Sequence, residues 1–341
     1  MTTVFFWSTL VACNLLGGGE PEDPATAAVA AADAQLKGGD IAGAADAHAA
    51  ALAAYPGNLD AAVGAAFGAY NRGDYAEADQ ILAAVEPTAG DRAGEVRLRR
   101  ALIAMKDGDT DVMREHAEAS NTAAGLVLAA EVALADGERE EARALLDRAA
   151  QVAGPIGTVA KGYVDLLKHE DPAVAGLAEN YALWALGQRE VAVASVEEVV
   201  KSLPEDYEGK ASELLVWAGR SASFGETQVA SNLLEAIDFP PQGQAWRVLA
   251  TRAIILCSEG QADDCQTMLQ SLEGKAPADG LQHARATAAI ALGGEDRDAA
   301  VAVLGSSASD AAARAALVLG DPGLAGSLAT DTVMKNYISG M

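Results

Sequence analysis

Nine short breaks, each a glycine followed by an acidic or amide residue, divide this chain into alanine-rich stretches. They are Gly39-Asp40, Gly73-Asp74, Gly108-Asp109, Gly137-Glu138, Gly187-Gln188, Gly225-Glu226, Gly260-Gln261, Gly294-Glu295 and Gly320-Asp321. Their spacings run 34, 35, 29, 50, 38, 35, 34 and 26 residues. A glycine at a helix end can take the left-handed conformation that stops the helix. The acidic or amide residue after it suits the positive end of the next helix dipole. A recurrence near 34 residues predicts pairs of helices stacked on one another, each pair packing on its neighbours.

A second pattern is independent of the turns. Two helices that cross closely need small side chains at the crossing. Seven residues before the glycines stand Ala32, Ala66, Ala101, Ala130, Asn180, Ala218, Ala253, Thr287 and Ala313. Five residues after them stand Ala44, Ala78, Met113, Ala142, Ala192, Ala230, Cys265, Ala299 and Ala325. The chain holds 78 alanines in 341 residues, so chance predicts about two per column, and each column has seven. Alanine is also the best helix former. β-branched runs with period two are scarce, which argues against a sheet.

The period and the two columns resemble the tetratricopeptide repeat (TPR) family. The segment Gly68-Ala69-Tyr70-Asn71-Arg72-Gly73-Asp74-Tyr75-Ala76-Glu77-Ala78 is the nearest local match. Pro56 and Pro204 fall where the family places its closing proline, and Leu82, Val196, Leu233, Leu234, Leu269 and Val303 lie near its next apolar position. The resemblance covers about residues 25–330 and is poor around 140–172. There an additional helical stretch, Thr158 to Lys168, stands between Pro155 and Pro172. The resemblance implies an all-α, TPR-like α-solenoid of about nine helix–turn–helix hairpins. It also implies that the first helix of each hairpin lines a concave face that takes peptides or partner helices. Carried over position by position, the partner-binding candidates are Phe67, Tyr70, Tyr181, Trp184 and Arg247. Core packing is the competing reading, above all for Tyr70 and Trp184, and Trp217 and Trp246 read as core.

The N-terminus carries a different signal. An apolar stretch from Val4 to Ala12 precedes Leu10-Val11-Ala12-Cys13, then Gly17-Gly18-Gly19 and Glu20-Pro21-Glu22-Asp23-Pro24. The stretch is too short for a bilayer, which takes ~20 apolar residues, and has the length of a signal-peptide apolar region. The run before Cys13 resembles a bacterial lipobox, although no Lys or Arg precedes it. The alternative is an ordinary apolar helix with a chance cysteine. On the lipobox reading the chain divides into a signal peptide (1–12), a tether (13–24), N-terminal hairpins (25–157), C-terminal hairpins (158–330) and a tail (331–341). Cys13 would then be lipidated and, with Asn14 following it, anchor the protein at the outer membrane.

Charge narrows the partners. The chain carries 49 acidic against 24 basic residues, a net charge of −25. Such a surface repels phosphate backbones and disfavours nucleic acid, while an acidic groove would suit a basic protein or peptide. Arg92, Arg97, Arg99 and Arg100 form the one basic cluster, which reads as a solvated helix face rather than an anion site. His48, His116, His169 and His283 show no metal-ligand spacing, so no metal or other cofactor is expected. Cys257 and Cys265 flank the Gly260 turn and are candidates for a disulfide; the alternative is two buried thiols. With no phosphate loop or nucleophile motif, the expectation is a non-catalytic, lipid-anchored scaffold at the bacterial envelope assisting assembly of an envelope complex. The alternative is a soluble intracellular adaptor.

Overall fold

The structure, a computed structural model, describes residues 23–330 apart from 39, 294–295 and 306–307. The stretch expected to be a signal peptide, Cys13 and the 331–341 segment lie outside the described residues, as does all of the expected tether except Asp23 and Pro24. The described residues contain α-helices and two short 3-10 turns, Glu86–Thr88 and Gly90–Arg92, and no strand. The helices are α1 Pro24–Lys37, α2 Ile41–Ala54, α3 Leu59–Asn71, α4 Tyr75–Val85, α5 Ala93–Asp107, α6 Thr110–Ser120, α7 Ala123–Ala135, α8 Arg139–Ala149, α9 Pro155–Leu167 and α10 Pro172–Ala185. They continue as α11 Arg189–Lys201, α12 Lys210–Phe224, α13 Thr227–Glu235, α14 Ala245–Ser258, α15 Ala262–Gln270, α16 Ala278–Leu292, α17 Arg297–Leu304, α18 Asp310–Val318 and α19 Pro322–Leu328. Each predicted turn joins two antiparallel neighbours, which gives nine hairpins among the described residues, with α9 left over between the fourth and the fifth.

The turns work as the sequence implies. Gly73 has φ +80°, and Gly108, Gly137, Gly187, Gly225, Gly260 and Gly320 are also left-handed. At Gly73 the amide of Asp74 donates to the Ala69 carbonyl and that of Gly73 to Tyr70, closing the helix end with its own backbone. The next residue then starts the following helix. Asp40, Asp74, Asp109 and Asp321 each accept from a backbone N–H three residues on. Glu138, Gln188, Glu226 and Gln261 make no such bond, since their side chains are one methylene longer.

Sixteen of the eighteen crossing positions are buried, most of the alanines completely. The two exceptions, Thr287 and Ala299, share one hairpin. There Asp296 caps α17, one residue after the predicted position. The turn is one residue longer, so Ala300 replaces Ala299 at the crossing, and Ala288 is buried beside Thr287.

First helices also stack on first helices: α7 on α10, α12 on α14, α14 on α16 and α16 on α18. The additional helix α9 packs on α8 and α10 and touches α7. It starts at Gly154-Pro155, with Gly154 at φ +117° and the proline in its first turn. The buried apolar residues form a small cluster on the first hairpins and two large ones. The large clusters meet on α10, where Val174 and Leu177 belong to one and Ala178 and Ala182 to the other.

The arginine cluster is not a solvated face. Arg99 is 2% exposed and pairs with Glu95 at 2.7 Å. Arg92 holds Asp60 and Glu95, Arg97 holds Glu86, and Arg100 holds Asp79 and Glu86. The guanidinium groups of Arg92, just before α5, and of Arg97 and Arg100 on it thus tie this segment to α3, to α4 and to the 3-10 turn after α4. Burial disfavours the charge of Glu86, but its bonds to Arg97 and Arg100 outweigh that and hold its carboxyl below the usual range.

Candidate functional site

Tyr181 and Trp184 lie three residues apart on one face of α10, so both reach the neighbouring first helix, α12. There they meet Trp217, which is fully buried. The Tyr181 ring lies 5.2 Å from Trp217, and Trp184 meets Trp217 edge-on at 6.0 Å. Phe224, 40% exposed, lies against Trp184 at 6.4 Å. Trp217 is therefore core, whereas Tyr181 and Trp184 are partly exposed at its edge.

One turn after Trp217, Arg220 folds back over these rings. Its guanidinium carbon sits 4.5 Å from the Tyr181 ring centre, 4.6 Å from Trp217 and 5.3 Å from Trp184. Arg189, at the start of α11, lies 5.4 Å from the Trp184 ring. Neither arginine has a carboxylate within ion-pair distance among the described residues, and the buried Nη1 of Arg220 meets no protein acceptor. Each cation–ring contact contributes ~0.5–2 kcal/mol. An unsatisfied buried donor costs ~1–3 kcal/mol. Three ring contacts together exceed the cost of one unsatisfied donor, so the rings hold Arg220 in place of an ion pair. Burial lowers its pKa.

Two tyrosine–carboxyl pairs flank this cation. The Tyr181 hydroxyl donates to Glu213 at 2.6 Å, and the Tyr163 hydroxyl donates to Glu131 at 3.0 Å. These pairs join α10 to α12 and α9 to α7. Burial pushes Glu131 up to about 8, and the Tyr163 bond only partly opposes it. Burial also raises Glu213, opposed by the Tyr181 bond and the Arg220 charge. Both tyrosines are raised by burial and by the carboxylate each one faces. The site combines tilted and edge-on aromatic rings, a cation held by those rings rather than by a carboxylate, and two carboxyl groups short of water. That chemistry suits recognition of a charged side chain.

The other candidates lie elsewhere. Phe67 is partly exposed on α3 and packs on the N-terminal core. Tyr70 is 8% exposed, with its ring 5.5 Å from Tyr75 across the Gly73 turn, and offers a partner little surface. Arg247, near the start of α14, donates to Gln244 at 2.6 Å. Trp246 is partly exposed and packs on the C-terminal core. Sequence reasoning missed Glu131, Tyr163, Arg189, Glu213 and Arg220. A signal existed for Glu131, which stands six residues before its turn glycine, as Phe67 and Tyr181 do. Each tyrosine is also 32 residues from its glutamate, close to one repeat.

Cys257 on α14 and Cys265 on α15 are joined in a disulfide across the Gly260 turn, with Cα atoms 5.4 Å apart. Both are buried, and Cys265 takes the place of the crossing alanine.

No protein-family model matches the chain, and no curated protein matches it. Among solved structures, the crystal structure of the P58(IPK) TPR domain aligns over 87% of this chain and 92% of that one, at 15% identity and a TM-score of 0.21. A superposition that loose adds nothing to the fold assignment. The turns, crossing columns and helix packing of the chain itself make it an all-α stack of TPR-like hairpins.

Proposed function

We propose that this chain is a non-catalytic scaffold whose first-helix layer holds a protein or peptide partner at the Tyr181–Trp184 edge. The observation behind this reading is the partly exposed aromatic and charged cluster on α10 and α12, in a chain where aromatic residues make up only 5%. Aromatic residues and arginine dominate binding energy at protein interfaces. The partner is basic, since a net charge of −25 attracts it and slows like-charged competitors. We further propose that Cys13 is lipidated and holds the scaffold at a bacterial envelope, where it assists assembly of an envelope complex. The Cys257–Cys265 disulfide supports an oxidising compartment over the reducing cytosol, and so favours this reading over an intracellular adaptor.

Two experiments test the proposal. Cys13→Ala should move the protein from the membrane fraction to the soluble one with its melting temperature unchanged. If wild type and variant are both soluble, the anchor is wrong. In native membranes, Tyr181→Ala and Trp184→Ala should weaken capture of the wild-type partner about tenfold or more each. Capture by wild type should also fall as salt rises, because exposed charge is screened beyond ~8–10 Å at physiological ionic strength. Undiminished capture by both variants would remove the site.

A further inference from the structure

We propose that Tyr181, Trp184 and Trp217, with the Glu213 carboxyl beside them, form a guanidinium-binding cage that the chain's own Arg220 fills at rest and an arginine of the bound partner takes over. This rests on the first-helix layer being the partner-binding face. Arg220 shows what chemistry the cage accepts. Its guanidinium carbon lies within 5.3 Å of all three ring centres. A planar, weakly hydrated guanidinium stacks on aromatic faces better than a compact ammonium does. The cage is nonetheless an incomplete seat for Arg220. Arg92, Arg100 and Arg114 each hold two or more carboxylates. Among the described residues Arg220 holds none within ion-pair distance, and its buried Nη1 lacks an acceptor.

Acceptors stand close by. Among the described residues the partner of Glu213 is the Tyr181 hydroxyl and that of Glu131 the Tyr163 hydroxyl. Each carboxyl keeps lone pairs for a guanidinium that approaches from another direction. Arg220, tethered to α12 one turn after Trp217, forms no ion pair with either among the described residues. A partner arginine enters free of that tether and stacks on the same rings. The partner's arginine therefore competes with an internal cation, and removing Arg220 strengthens binding rather than weakening it.

The test uses the full chain with Arg220→Ala, read by tryptophan fluorescence and thermal melts in millimolar N-ethylguanidinium chloride. Ethylammonium chloride and N-ethylurea control for salt and for denaturant action. N-Ethylguanidinium should bind Arg220→Ala at least about tenfold more tightly than wild type and raise the variant's melting temperature by a few degrees, as expected for a ligand selective for the folded state. Glu213→Gln in the Arg220→Ala background should lower that affinity severalfold. Equal binding to wild type and variant, or no preference for ethylguanidinium over the two controls, would overturn the cage. Should Arg220→Ala fail to fold alone, folding restored by ethylguanidinium and not by ethylurea supports the cage, and folding restored by neither overturns it. Loss of partner capture in Trp184→Ala, together with no guanidinium effect on Arg220→Ala, would leave the groove intact and remove the cage. Guanidinium binding with capture untouched by Trp184→Ala would remove the groove, and the partner's arginine with it.

Discussion

Replacing Glu131 by glutamine removes a proton-binding group but keeps an oxygen that can accept from Tyr163. The carboxyl of Glu131 is raised from 4.5 to about 8, with burial the larger cause. Below pH 4.5 it is protonated in both folded and unfolded chains. Between 4.5 and about 8 the folded chain keeps a proton that the unfolded chain releases, so stability falls as pH rises. Each pH unit in that window costs ~1.4 kcal/mol, and the full interval sets an upper bound near ~5 kcal/mol. The residue is only partly buried, so ~2–4 kcal/mol is the working figure. The contribution is fully present below pH 4.5 and is lost as pH rises through about 8. Chemical denaturation of wild type and Glu131→Gln at pH 5 and pH 8.5 reads it directly. Wild type should lose several times more stability between the two pH values than the variant does. Parallel losses would show that Glu131 titrates normally, and burial would then be the wrong account of this end of the site.

Two further perturbations probe the hairpins themselves. Ala66 and Ala78 are completely buried where α3 crosses α4, so leucine at either should overpack the crossing by ~1–3 kcal/mol; an unchanged melting temperature in both variants would refute the register. Reducing the Cys257–Cys265 bond, which closes a loop of 8 residues, should cost about 2 kcal/mol, seen as a lower melting temperature in dithiothreitol that Cys257→Ser with Cys265→Ser reproduces. An unchanged melt would mean that the two thiols stabilise the hairpin equally well unbonded.

The sequence by itself determined the repeat, because the repeat is written in local chemistry. A glycine at a helix end can take φ near +80° without a side-chain clash, and an aspartate after it caps the next helix through its own short side chain. Alanine columns report helix crossings for the same reason, since small side chains are needed there in any hairpin. The one misplaced crossing, Thr287 and Ala299, came from a turn one residue longer, which spacing alone does not reveal. Tertiary structure decided the rest. Glu95 stands four residues before Arg99 on α5, so that pair is local, but whether Arg99 kept its water depended on how the hairpins dock, and docking buried it. The register placed Tyr181 and Trp184 on the first-helix layer, but only the approach of α12 brought Trp217 and Arg220 to them. Among 49 acidic residues, composition marks none as special. Glu131 and Glu213 are set apart by loss of water, and that loss is a property of the helices packed around them, not of the residues.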